Sequence, residues 1–431
     1  MGVCEVKVAD WCMVTPTEVT PRKSLWLSPF DLAFAGRGHT PLVYLYRSSS
    51  AVTFFDVDRL KAAMARALVL FYPLAGRLGV DSDGRLQVDC AEQGVPFVVA
   101  QSDLSVDDFS NFKPSSELRK LFVPRVDDSP PVVCAFQVTF LRCGGVALGV
   151  AVHHGVVDGI STFQFVRTWS AFCSRDGAAA AALEVPCHDR TLLRGRSPPC
   201  VHPDALSVFC PKLSLSELSG TVANEIFVIS KDQVAAIKRA CGRDVSTFCA
   251  LSAHVWQCLC ATGRLPPDAT TRLSFPANVR RSLNPPLPDS YFGNGIIGLC
   301  VTGKVRDIAS EEQLATVAGR ISGAIRRMDD ELVRSAIDYL ELDMATRQPD
   351  ATPAGSMPET ELRVVSWLSM PVYDADFGWG KPLVMHRAVQ PRAGLLYLMD
   401  GAGGSVRILV SLEPAVLNDF RRLLYHTTAK L

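Results

Sequence analysis

The stretch Val146-Ala-Leu-Gly-Val-Ala-Val-His-His-Gly-Val-Val-Asp-Gly159 decides how the rest of the chain is interpreted. Its apolar part, Val146 to Val152, is short and apolar on both faces, which predicts a buried strand. Ionisable side chains at the end of a buried strand are costly unless they are paired or used. His154 is therefore the candidate base, and Asp158 is the candidate for the group that positions something near it. The alternative interpretation is a satisfied core histidine followed by a turn-forming Asp-Gly.

Length and charge limit the classes to which the protein can belong. The chain has 431 residues, more than one compact core usually organises, so two domains are expected. Lys plus Arg equals Asp plus Glu at 44 each, which argues against a nucleic-acid binder and a polybasic membrane anchor. No apolar run approaches the roughly 18 residues of a membrane-spanning helix, and no signal segment is recognised. Val6 stands where a myristoylation motif needs Ser or Thr.

The cysteines indicate the compartment. There are 14, scattered and often in apolar surroundings, with no Cys-x-x-Cys pair. Cys258 and Cys260 lie too close together for a usual zinc pair. We therefore expect reduced, buried thiols in a cytoplasmic protein, and no metal.

Hydrophobic periodicity predicts the elements around the opening stretch. After Asp158, apolar residues recur every three positions from Ile160 to Trp169, which predicts a helix. The motif should thus lie at a strand-to-helix turn, where side chains reach a surface cleft. Other strands are predicted over residues 5–14, 42–46, 132–152 with a break at 143–145, 224–229, 395–399 and 406–412. Other helices are predicted from Asp56, Ser230, Ser246 and Pro414, and over residues 313–340.

Proline-rich stretches predict where regular structure stops. Residues 186–213 lack periodicity and are interpreted as a long crossover between domains. Residues 274–294 hold four prolines and are predicted to be loop. The expected division is a first domain over 1–185, a crossover over 186–220, and a second domain over 221–431.

A second motif, Asp374-Ala-Asp-Phe-Gly-Trp-Gly380, has two glycines around a tryptophan, which implies close backbone approach. By itself it could be a tight turn with a packed indole. Together the two motifs resemble the H-x-x-x-D and D-F-G-W-G motifs of the plant BAHD acyl-CoA-dependent acyltransferases. Further stretches across the whole chain are similar to that family: Phe71-Tyr-Pro-Leu-Ala-Gly-Arg-Leu78, Val245-Ser-Thr-Phe248, Leu251-Ser-Ala-His-Val-Trp256, Leu283-Asn-Pro-Pro-Leu-Pro288 and Tyr291-Phe-Gly-Asn294.

The resemblance implies an α/β fold of the α+β kind. Two similar chloramphenicol-acetyltransferase-like domains are expected, each a mixed β-sheet core flanked by helices, joined by a long crossover loop with a channel between them. CoA and the acceptor are expected to enter from opposite sides and meet at the histidine. It also implies acyl-CoA as a co-substrate, with no further cofactor. A monomer is expected because the two domains already form the cleft.

Acyl transfer from a thioester needs a base that takes the acceptor's proton, and histidine does this near neutrality. The resemblance assigns this role to His154. His153 precedes it on a strand, so its side chain should face the other way and be structural. The family's aspartate pairs with an arginine; Asp158 would pair with Arg280, with Arg281 as the other possibility.

Four further positions receive roles from the resemblance. Asp376 and Trp379 would be mainly structural, and Trp379 could also lie near the acyl group. Ser246 and Thr247 could hydrogen-bond the CoA arm, and the equally weighted interpretation is a helix N-cap. No G-x-S-x-G nucleophile elbow is present, so direct transfer is favoured over an acyl-enzyme.

The acceptor is predicted from the hydroxycinnamoyltransferase branch of the family. Similar features are Thr20-Pro-Arg-Lys-Ser-Leu-Trp-Leu-Ser28, His39-Thr-Pro41 and His188-Asp-Arg-Thr-Leu-Leu-Arg194, which imply a coumaroyl, caffeoyl or feruloyl donor. His39 and Ser369 are assigned to the acceptor site. Shikimate and quinate users carry an arginine that binds the acceptor carboxylate, and here Ser369 occupies that position.

An amine acceptor such as putrescine, spermidine or agmatine is therefore expected. The alternatives are O-acylation of glycerol, shikimate or quinate, and, more remotely, a non-catalytic binding protein on this fold. A metal site built from His153, His154 and Asp158 is disfavoured, because adjacent strand histidines point apart.

Overall fold

The computed structural model describes residues 6–48, 54–109, 115–126, 131–174, 184–211, 221–242, 244–346, 357–388 and 392–430. The chain forms two compact units, and each combines a six-stranded sheet with helices. This confirms the predicted α/β class. The first unit comprises Met1–Arg194, Leu287–Gly295 and Met370–Gln390; the second comprises Gly195–Pro286, Ile296–Ser369 and Pro391–Leu431.

The sheet of the first unit has the strand order β1-β6-β7-β8-β3-β13, and β2, β5 and β4 form a small second sheet. Among the described strands of the large sheet, β6 and β7 are parallel to each other and the other neighbours are antiparallel. The elements are β1 Val6–Val14, β2 Ser24–Trp26, α1 Pro29–Ala35, β3 His39–Tyr46, α2 Val57–Leu70, β4 Arg77–Val80, β5 Leu86–Asp89, β6 Val95–Ser102, α3 Ser116–Phe122, β7 Cys134–Leu141, β8 Val146–His153, α4 Gly159–Ser174 and β13 Val384–Arg387.

Strand β8 carries the opening stretch and is buried along its whole length, as its apolar run predicted. It lies between β7 and β3, and this pairing sets His153 opposite His39. Gly149 explains how α3 packs on this strand. A Cβ at Gly149 would lie 1.7 Å from the carbonyl oxygen of Phe122, so no larger residue fits without moving that backbone.

The sheet of the second unit has the order β11-β10-β12-β14-β15-β9. The predicted hairpin over residues 395–412 is the antiparallel pair β14 and β15. The elements are β9 Ala223–Ile229, α5 Lys231–Cys241, α6 Thr247–Cys260, β10 Thr270–Asn278, β11 Ile296–Lys304, α7 Leu314–Arg326, α8 Asp330–Thr346, β12 Glu361–Ser366, β14 Leu395–Asp400, β15 Val406–Leu412 and α9 Pro414–Lys430.

The structure differs from the sequence prediction at two elements. The loop expected from residue 274 begins later, because β10 continues through Pro276 to Asn278. Beyond Ser274 this strand pairs only with β11, so a residue without an N–H is tolerated there. The helix expected over 313–340 is two helices, because the side chain of Asp329 accepts a hydrogen bond of 2.9 Å from the N–H of Leu332 and caps α8.

The division of the chain also differs from the expected boundaries. The prediction assigned all of 221–431 to the second domain, whereas two pieces of it, Leu287–Gly295 and Met370–Gln390, lie in the first unit. The second piece contains β13, which adds to the open edge of β3. The D-F-G-W-G motif therefore belongs to the same unit as the H-x-x-x-D motif. In the described part of the chain, no helix has the length and apolar character that spanning a membrane requires.

Candidate active site

His154 directly follows β8 and is held mainly through its main chain. Its N–H donates a 2.9 Å hydrogen bond to the carbonyl of Gly38, and its own carbonyl accepts one of 2.9 Å from Nδ2 of Asn294. The imidazole stacks on Phe34 of α1, with ring centroids 4.6 Å apart and an angle of 20° between the planes. The guanidinium of Arg37 lies over the same phenyl ring at 4.7 Å. The backbone of this residue is thus fixed from two sides of the fold.

The surroundings of His154 keep its side chain neutral. The imidazole is half-buried, and dense protein around it lowers its pKa to about 3. Desolvation is the main cause, the positive charges of Arg37 and Arg387 add to it, and its own main chain and Asp158 oppose it. Among the described residues its Nδ1 has no hydrogen-bond partner. A neutral imidazole with a nitrogen lone pair is the form that accepts a proton.

His153 has different neighbours, as expected for successive residues of a strand. It is buried, and its Nδ1 accepts a 3.2 Å hydrogen bond from the N–H of Gly155. Its ring packs edge-on against His39, with centroids 5.1 Å apart. Burial first, and then the proximity of His39, lower the pKa of His153 to about 4. Its role as a packing residue stays a prediction that these contacts support.

His39 lies at the start of β3, where the prediction placed an acceptor contact. Its Nε2 is 2.7 Å from the carbonyl oxygen of Val132, and only a protonated nitrogen can donate to that oxygen. This contact fixes the tautomer and leaves Nδ1 as the acceptor nitrogen while the ring is neutral. Contact with an acceptor molecule stays a prediction.

Asp158 caps helix α4 and ties it to the segment Leu287–Gly295. Its Oδ1 accepts a 2.9 Å hydrogen bond from the N–H of Ser161, and its Oδ2 accepts one of 3.0 Å from the N–H of Gly295. The side chain is buried, with 1% of its surface exposed. Asp158 therefore stabilises the turn that follows His154.

Arg280, the predicted partner of Asp158, follows the end of β10 in the second unit and is buried. Its N–H donates a 3.1 Å hydrogen bond to Oδ1 of Asn278. The pairing of Asp158 with Arg280, and the choice between Arg280 and Arg281, stay predictions.

A buried network that the sequence reasoning missed supports the same turn. Arg190 and Asp31 form an ion pair with 2.7 Å between Nη1 and Oδ2, and both side chains are at most 1% exposed. Oδ1 of Asp31 accepts hydrogen bonds from Asn294, 3.0 Å from its N–H and 2.8 Å from its Nδ2. Asn294 in turn donates to the carbonyl of His154. The network thus reaches the main chain of the candidate base.

Only part of this network had a signal in the sequence. Ser28 and Asp31 form a capping box at the start of α1, and the Ser-x-x-Asp spacing predicts such a box. Arg190 lies in a stretch that was noted only for its resemblance to a branch of the family. Nothing local indicates that these residues meet, since Asp31 and Asn294 are 263 positions apart.

The D-F-G-W-G loop is held by its own aspartate. Oδ1 of Asp376 accepts hydrogen bonds from the N–H of Gly378 at 2.8 Å and from the N–H of Gly380 at 2.9 Å. Both glycines have positive φ, +93° and +104°, which other residues rarely adopt. Phe377, which precedes the first of these glycines, is fully buried and packs edge-on against Trp169 of α4, 4.7 Å between centroids.

Trp379 packs against Arg59 of α2 and against Phe55, which precedes Asp56, the N-cap residue of that helix. Its indole stacks on Phe55 at 5.2 Å between centroids, and the guanidinium of Arg59 lies 4.6 Å above the ring. These contacts support the predicted structural roles of Asp376 and Trp379. Proximity of Trp379 to an acyl group stays a prediction.

The predicted CoA contacts lie at the start of α6. Oγ of exposed Ser246 accepts a 3.1 Å hydrogen bond from the N–H of Cys249, which is the geometry of a helix N-cap. Thr247 is the first residue of the helix and is half-buried. The structure therefore favours the capping interpretation of Ser246, and contact of either residue with CoA stays a prediction.

Ser369, the predicted acceptor-selecting residue, is exposed and has φ of +60°. Its N–H donates a 2.7 Å hydrogen bond to Oδ2 of Asp400 at the end of β14. A carboxylate that the sequence reasoning did not identify thus lies beside this serine. In the described part of the chain, no three His, Cys, Asp or Glu side chains converge as metal ligands.

Comparisons with known proteins identify the family. Residues 4–427 match the family described as the transferase family. Putrescine hydroxycinnamoyltransferase 1 of Oryza sativa subsp. japonica is 43% identical over 97% of this chain and 98% of its own. Shikimate O-hydroxycinnamoyltransferase of Nicotiana tabacum is 37% identical over 98% of this chain and 99% of its own.

The solved structures support the fold. Vinorine synthase superposes with a TM-score of 0.77 at 22% identity, covering 98% of each chain. The family match over nearly the whole chain, together with the two intact motifs, also confirms the class of enzyme that the resemblance implied. The chain therefore belongs to the transferase family and is a BAHD acyl-CoA-dependent acyltransferase.

Proposed function

We propose that this enzyme transfers a hydroxycinnamoyl group from CoA to an aliphatic amine, with putrescine, spermidine or agmatine as acceptors. The observation that carries the choice of acceptor is the pair formed by Ser369 and Asp400, a neutral side chain beside a carboxylate. The name of the rice relative, a putrescine hydroxycinnamoyltransferase at 43% identity, supports the same choice.

In this proposal His154 is the general base of a direct transfer. The neutral amine of the acceptor attacks the thioester carbonyl, and a new C–N bond forms. The imidazole takes the proton that the nitrogen loses as the tetrahedral intermediate develops. The C–S bond then breaks, CoA leaves as the thiolate, and the imidazolium returns the proton to the sulfur. The lowered pKa of His154 means that its imidazole is neutral at the start of each turnover and can accept a proton.

The charge around Ser369 fits a cationic acceptor. A diamine whose first nitrogen reacts as the free base still carries a second, protonated nitrogen, since the pKa of an alkylamine is near 10. We propose that the carboxylate of Asp400 binds this distal ammonium. An acceptor carboxylate such as that of shikimate would meet a negative charge here instead of an arginine.

Met370, the residue after Ser369, lies beside the start of α4. Sδ of Met370 lies 3.9 Å from the position that a Cβ of Gly159 would occupy. Gly159 directly follows Asp158 and begins α4. In the chain, Ser369 is therefore followed directly by a residue that packs beside the H-x-x-x-D motif.

The first experiment identifies the acceptor. The enzyme is incubated with coumaroyl-CoA and an equimolar mixture of putrescine, spermidine, agmatine, tryptamine, glycerol, shikimate and quinate, and products are identified by mass spectrometry. We expect coumaroyl amides of the aliphatic amines. If only esters form, the amine proposal is wrong, while the assignment as an acyltransferase stands.

The second experiment tests Ser369 and Asp400. We expect Asp400→Asn to lower kcat/KM for putrescine about tenfold, the effect of losing one charge-assisted contact, and to leave butylamine, which lacks the second cation, unchanged. We expect Ser369→Arg to weaken the use of putrescine and introduce activity with shikimate, whereas Ser369→Asn, which tolerates positive φ without adding charge, should not. Equal losses for putrescine and butylamine in Asp400→Asn would contradict the proposed contact.

The remaining features of the enzyme follow from the same proposal. His39 contacts the acceptor, Ser246 and Thr247 contact CoA, and Asp158 pairs with Arg280. Acyl-CoA is a co-substrate, no metal or prosthetic group takes part, and the protein acts as a cytoplasmic monomer. Activity that survives dialysis against EDTA, and a mass near the sequence value of 46.8 kDa in light scattering, are the expected results.

A further inference from the structure

Two cysteines of the second unit lie on one face of a short antiparallel pairing. Phe209 bridges to Leu299 of β11. The N–H of Cys210 donates to the carbonyl of Gly298 at 2.8 Å, and the N–H of Cys300 donates to the carbonyl of Val208 at 2.8 Å. Residues two apart on a strand share a face, so the side chains of Cys210 and Cys300 project to the same side.

Cys210 and Cys300 are diagonal neighbours on this face, since Phe209 lies opposite Leu299. A hydrogen bond between the two thiols shifts the pKa of each, downwards for Cys210 and upwards for Cys300. Gly298 permits the close approach of the two backbones, because a Cβ at that position would lie 2.3 Å from the carbonyl oxygen of Cys210. Cys210 is buried and Cys300 is half-buried.

Arginines surround this pair on the same face of the sheet. Cys300 lies opposite Ser274 of β10, and Ser274 lies opposite Arg363 of β12. In the adjacent row Arg272 pairs with Glu361, with 2.5 Å between Nη2 and Oε1. Two guanidinium groups and one carboxylate therefore lie near the two sulfurs, which leaves an excess of positive charge.

This charge distribution favours a thiolate on Cys210. The hydrogen bond from Cys300 is the main cause that lowers the pKa of Cys210, to about 7; Arg272 and Arg363 add to it, and burial opposes it. The pKa of Cys300 is raised, chiefly by the same hydrogen bond. Burial lowers the pKa of Arg363, and the nearby Cys210 sulfur is the first of the groups that oppose this. The thiolate thus compensates a buried guanidinium.

We propose that Cys210 and Cys300 form a redox-active dithiol that peroxides oxidise reversibly to an intramolecular disulfide. Cys300 lines an open surface groove of about 320 Å³, whose rim also carries Arg320 and Arg327. The groove gives a small oxidant access to Cys300, and Cys210 lies on the same face of the pairing. The proposal is independent of the acyl acceptor.

The oxidation proceeds in two balanced steps. The thiolate of Cys210 attacks one oxygen of hydrogen peroxide, the O–O bond breaks, and the hydroxide that leaves takes a proton to become water. The sulfur is then a sulfenic acid. The sulfur of Cys300 attacks it, the S–S bond forms, and the hydroxyl group leaves with the thiol proton as a second water. Two electrons pass from the sulfurs to one peroxide molecule.

The test uses the full chain. Reduced protein is treated with one to ten equivalents of hydrogen peroxide at pH 7, the remaining thiols are alkylated, and peptides are mapped by mass spectrometry before and after dithiothreitol. We expect the loss of two alkylatable thiols and a peptide pair cross-linked through Cys210 and Cys300, both restored by the reductant. If both cysteines remain alkylatable while other cysteines are oxidised, the proposal is overturned.

Variants separate the two roles. With Cys300→Ser, Cys210 should stop at the sulfenic acid, which dimedone labels; with Cys210→Ser, Cys300 should stay reduced. Cys143→Ser, which removes an exposed cysteine of the first unit, should leave the cross-link unchanged. The rate of oxidation of the wild-type pair should rise with pH and reach half its maximum near pH 7, as the thiolate forms. A midpoint near pH 9, the value of an ordinary thiol, contradicts the arginine-stabilised thiolate, and this measurement needs no variant.

Discussion

His154, the candidate base, is held in place mainly through its main chain. Its N–H and carbonyl are both engaged, by Gly38 and Asn294, while Nδ1 has no partner among the described residues. Rigid placement of the main chain fixes the origin of the side chain, and the stacking on Phe34 limits its rotation. This fixed placement is compatible with the proposed role as general base, which requires a positioned side chain.

The first prediction at this scale is the loss of the base. We expect His154→Ala to lower kcat at least about a hundredfold, the usual contribution of a positioned general base. The change in the far-UV circular dichroism spectrum should be negligible, because the contacts that hold the residue are those of its main chain. His153→Asn is the matched control and should retain most of the activity. A His154→Ala enzyme that folds and acylates at the normal rate would contradict the proposed mechanism.

The second prediction concerns the ion pair between Asp31 and Arg190. Asp31→Asn leaves the guanidinium buried without a compensating charge, so we expect the free energy of unfolding to fall by about 3–5 kcal/mol in urea titrations. Asp374→Asn is the control, because Asp374 pairs with Lys381 on the surface at 3.4 Å and its loss should cost under about 1 kcal/mol. Similar costs for the two variants would show that the buried pair contributes little.

At the scale of elements, the D-F-G-W-G loop packs against two helices, α2 and α4. Phe377 packs on α4, and Trp379 packs between Phe55 and Arg59 at the start of α2. Asp376 closes the loop by accepting hydrogen bonds from two glycine N–H groups. The motif therefore stabilises the unit that carries His154, and a change in it should alter stability before it alters the chemical step.

A pair of glycine variants separates the two reasons for glycine in this loop. Gly378→Ala would place a Cβ 2.8 Å from Nη2 of Arg59 and 3.0 Å from the Cα of Ser174, and it would also strain a φ of +93°. Gly380→Ala meets nothing within 4 Å and suffers only the strain of positive φ. We expect losses of roughly 1 kcal/mol for Gly380→Ala and clearly more for Gly378→Ala, measured by thermal and urea unfolding. A larger loss for Gly380→Ala would show that the close approach is relieved by a small shift.

At the scale of the whole molecule, buried and half-buried histidines make the folded state sensitive to acid. Burial is the main cause that lowers the pKa of His153 and His188 to about 4 and that of His154 to about 3, whereas in the unfolded chain each is near 6.5. Below pH 6.5 the unfolded chain therefore binds protons that the folded chain does not. Stability is fully present above pH 6.5 and is lost as the pH falls towards 4.

The corresponding prediction is a slope of unfolding free energy against pH. Between pH 6 and 4.5 each of the three histidines should contribute up to about 1.4 kcal/mol per pH unit. Urea unfolding at several pH values measures this slope. His188→Gln keeps a donor for the carbonyl of Leu70 and removes one titrating imidazole, so the slope should fall by the contribution of one proton. A flat profile down to pH 4.5 would contradict the burial of these imidazoles.

Much of the fold was predictable because its signals are local. The all-apolar run of β8 predicted a buried strand, the three-residue repeat after Asp158 predicted α4, and Asp56, Ser230 and Ser246 are the caps of the helices that they were expected to begin. Pro276 misled the prediction, because a proline ends a strand only where its missing N–H would have been paired.

The residues of the candidate site also differ in whether their signal in the sequence is local. His154, Asp158 and the D-F-G-W-G motif were identified from the sequence because each is a short pattern read within a few residues. Asp31, Arg190 and Asn294 were not, since their function as a network exists only when segments far apart in the chain meet. Asp400 was missed for the same reason, since nothing in the sequence places it beside Ser369.

The sequence by itself determined the family, the reaction type and most elements, because periodicity, capping and motif spacing act over a few residues. Only the tertiary structure decided that Leu287–Gly295 and Met370–Gln390 join the unit of His154, with β13 completing the sheet beside β3. Such pairings depend on which unpaired strand edge and which buried polar group remain to be satisfied after the local elements have formed. That requirement comes from packing and hydrogen bonding across the whole fold, which no local pattern contains.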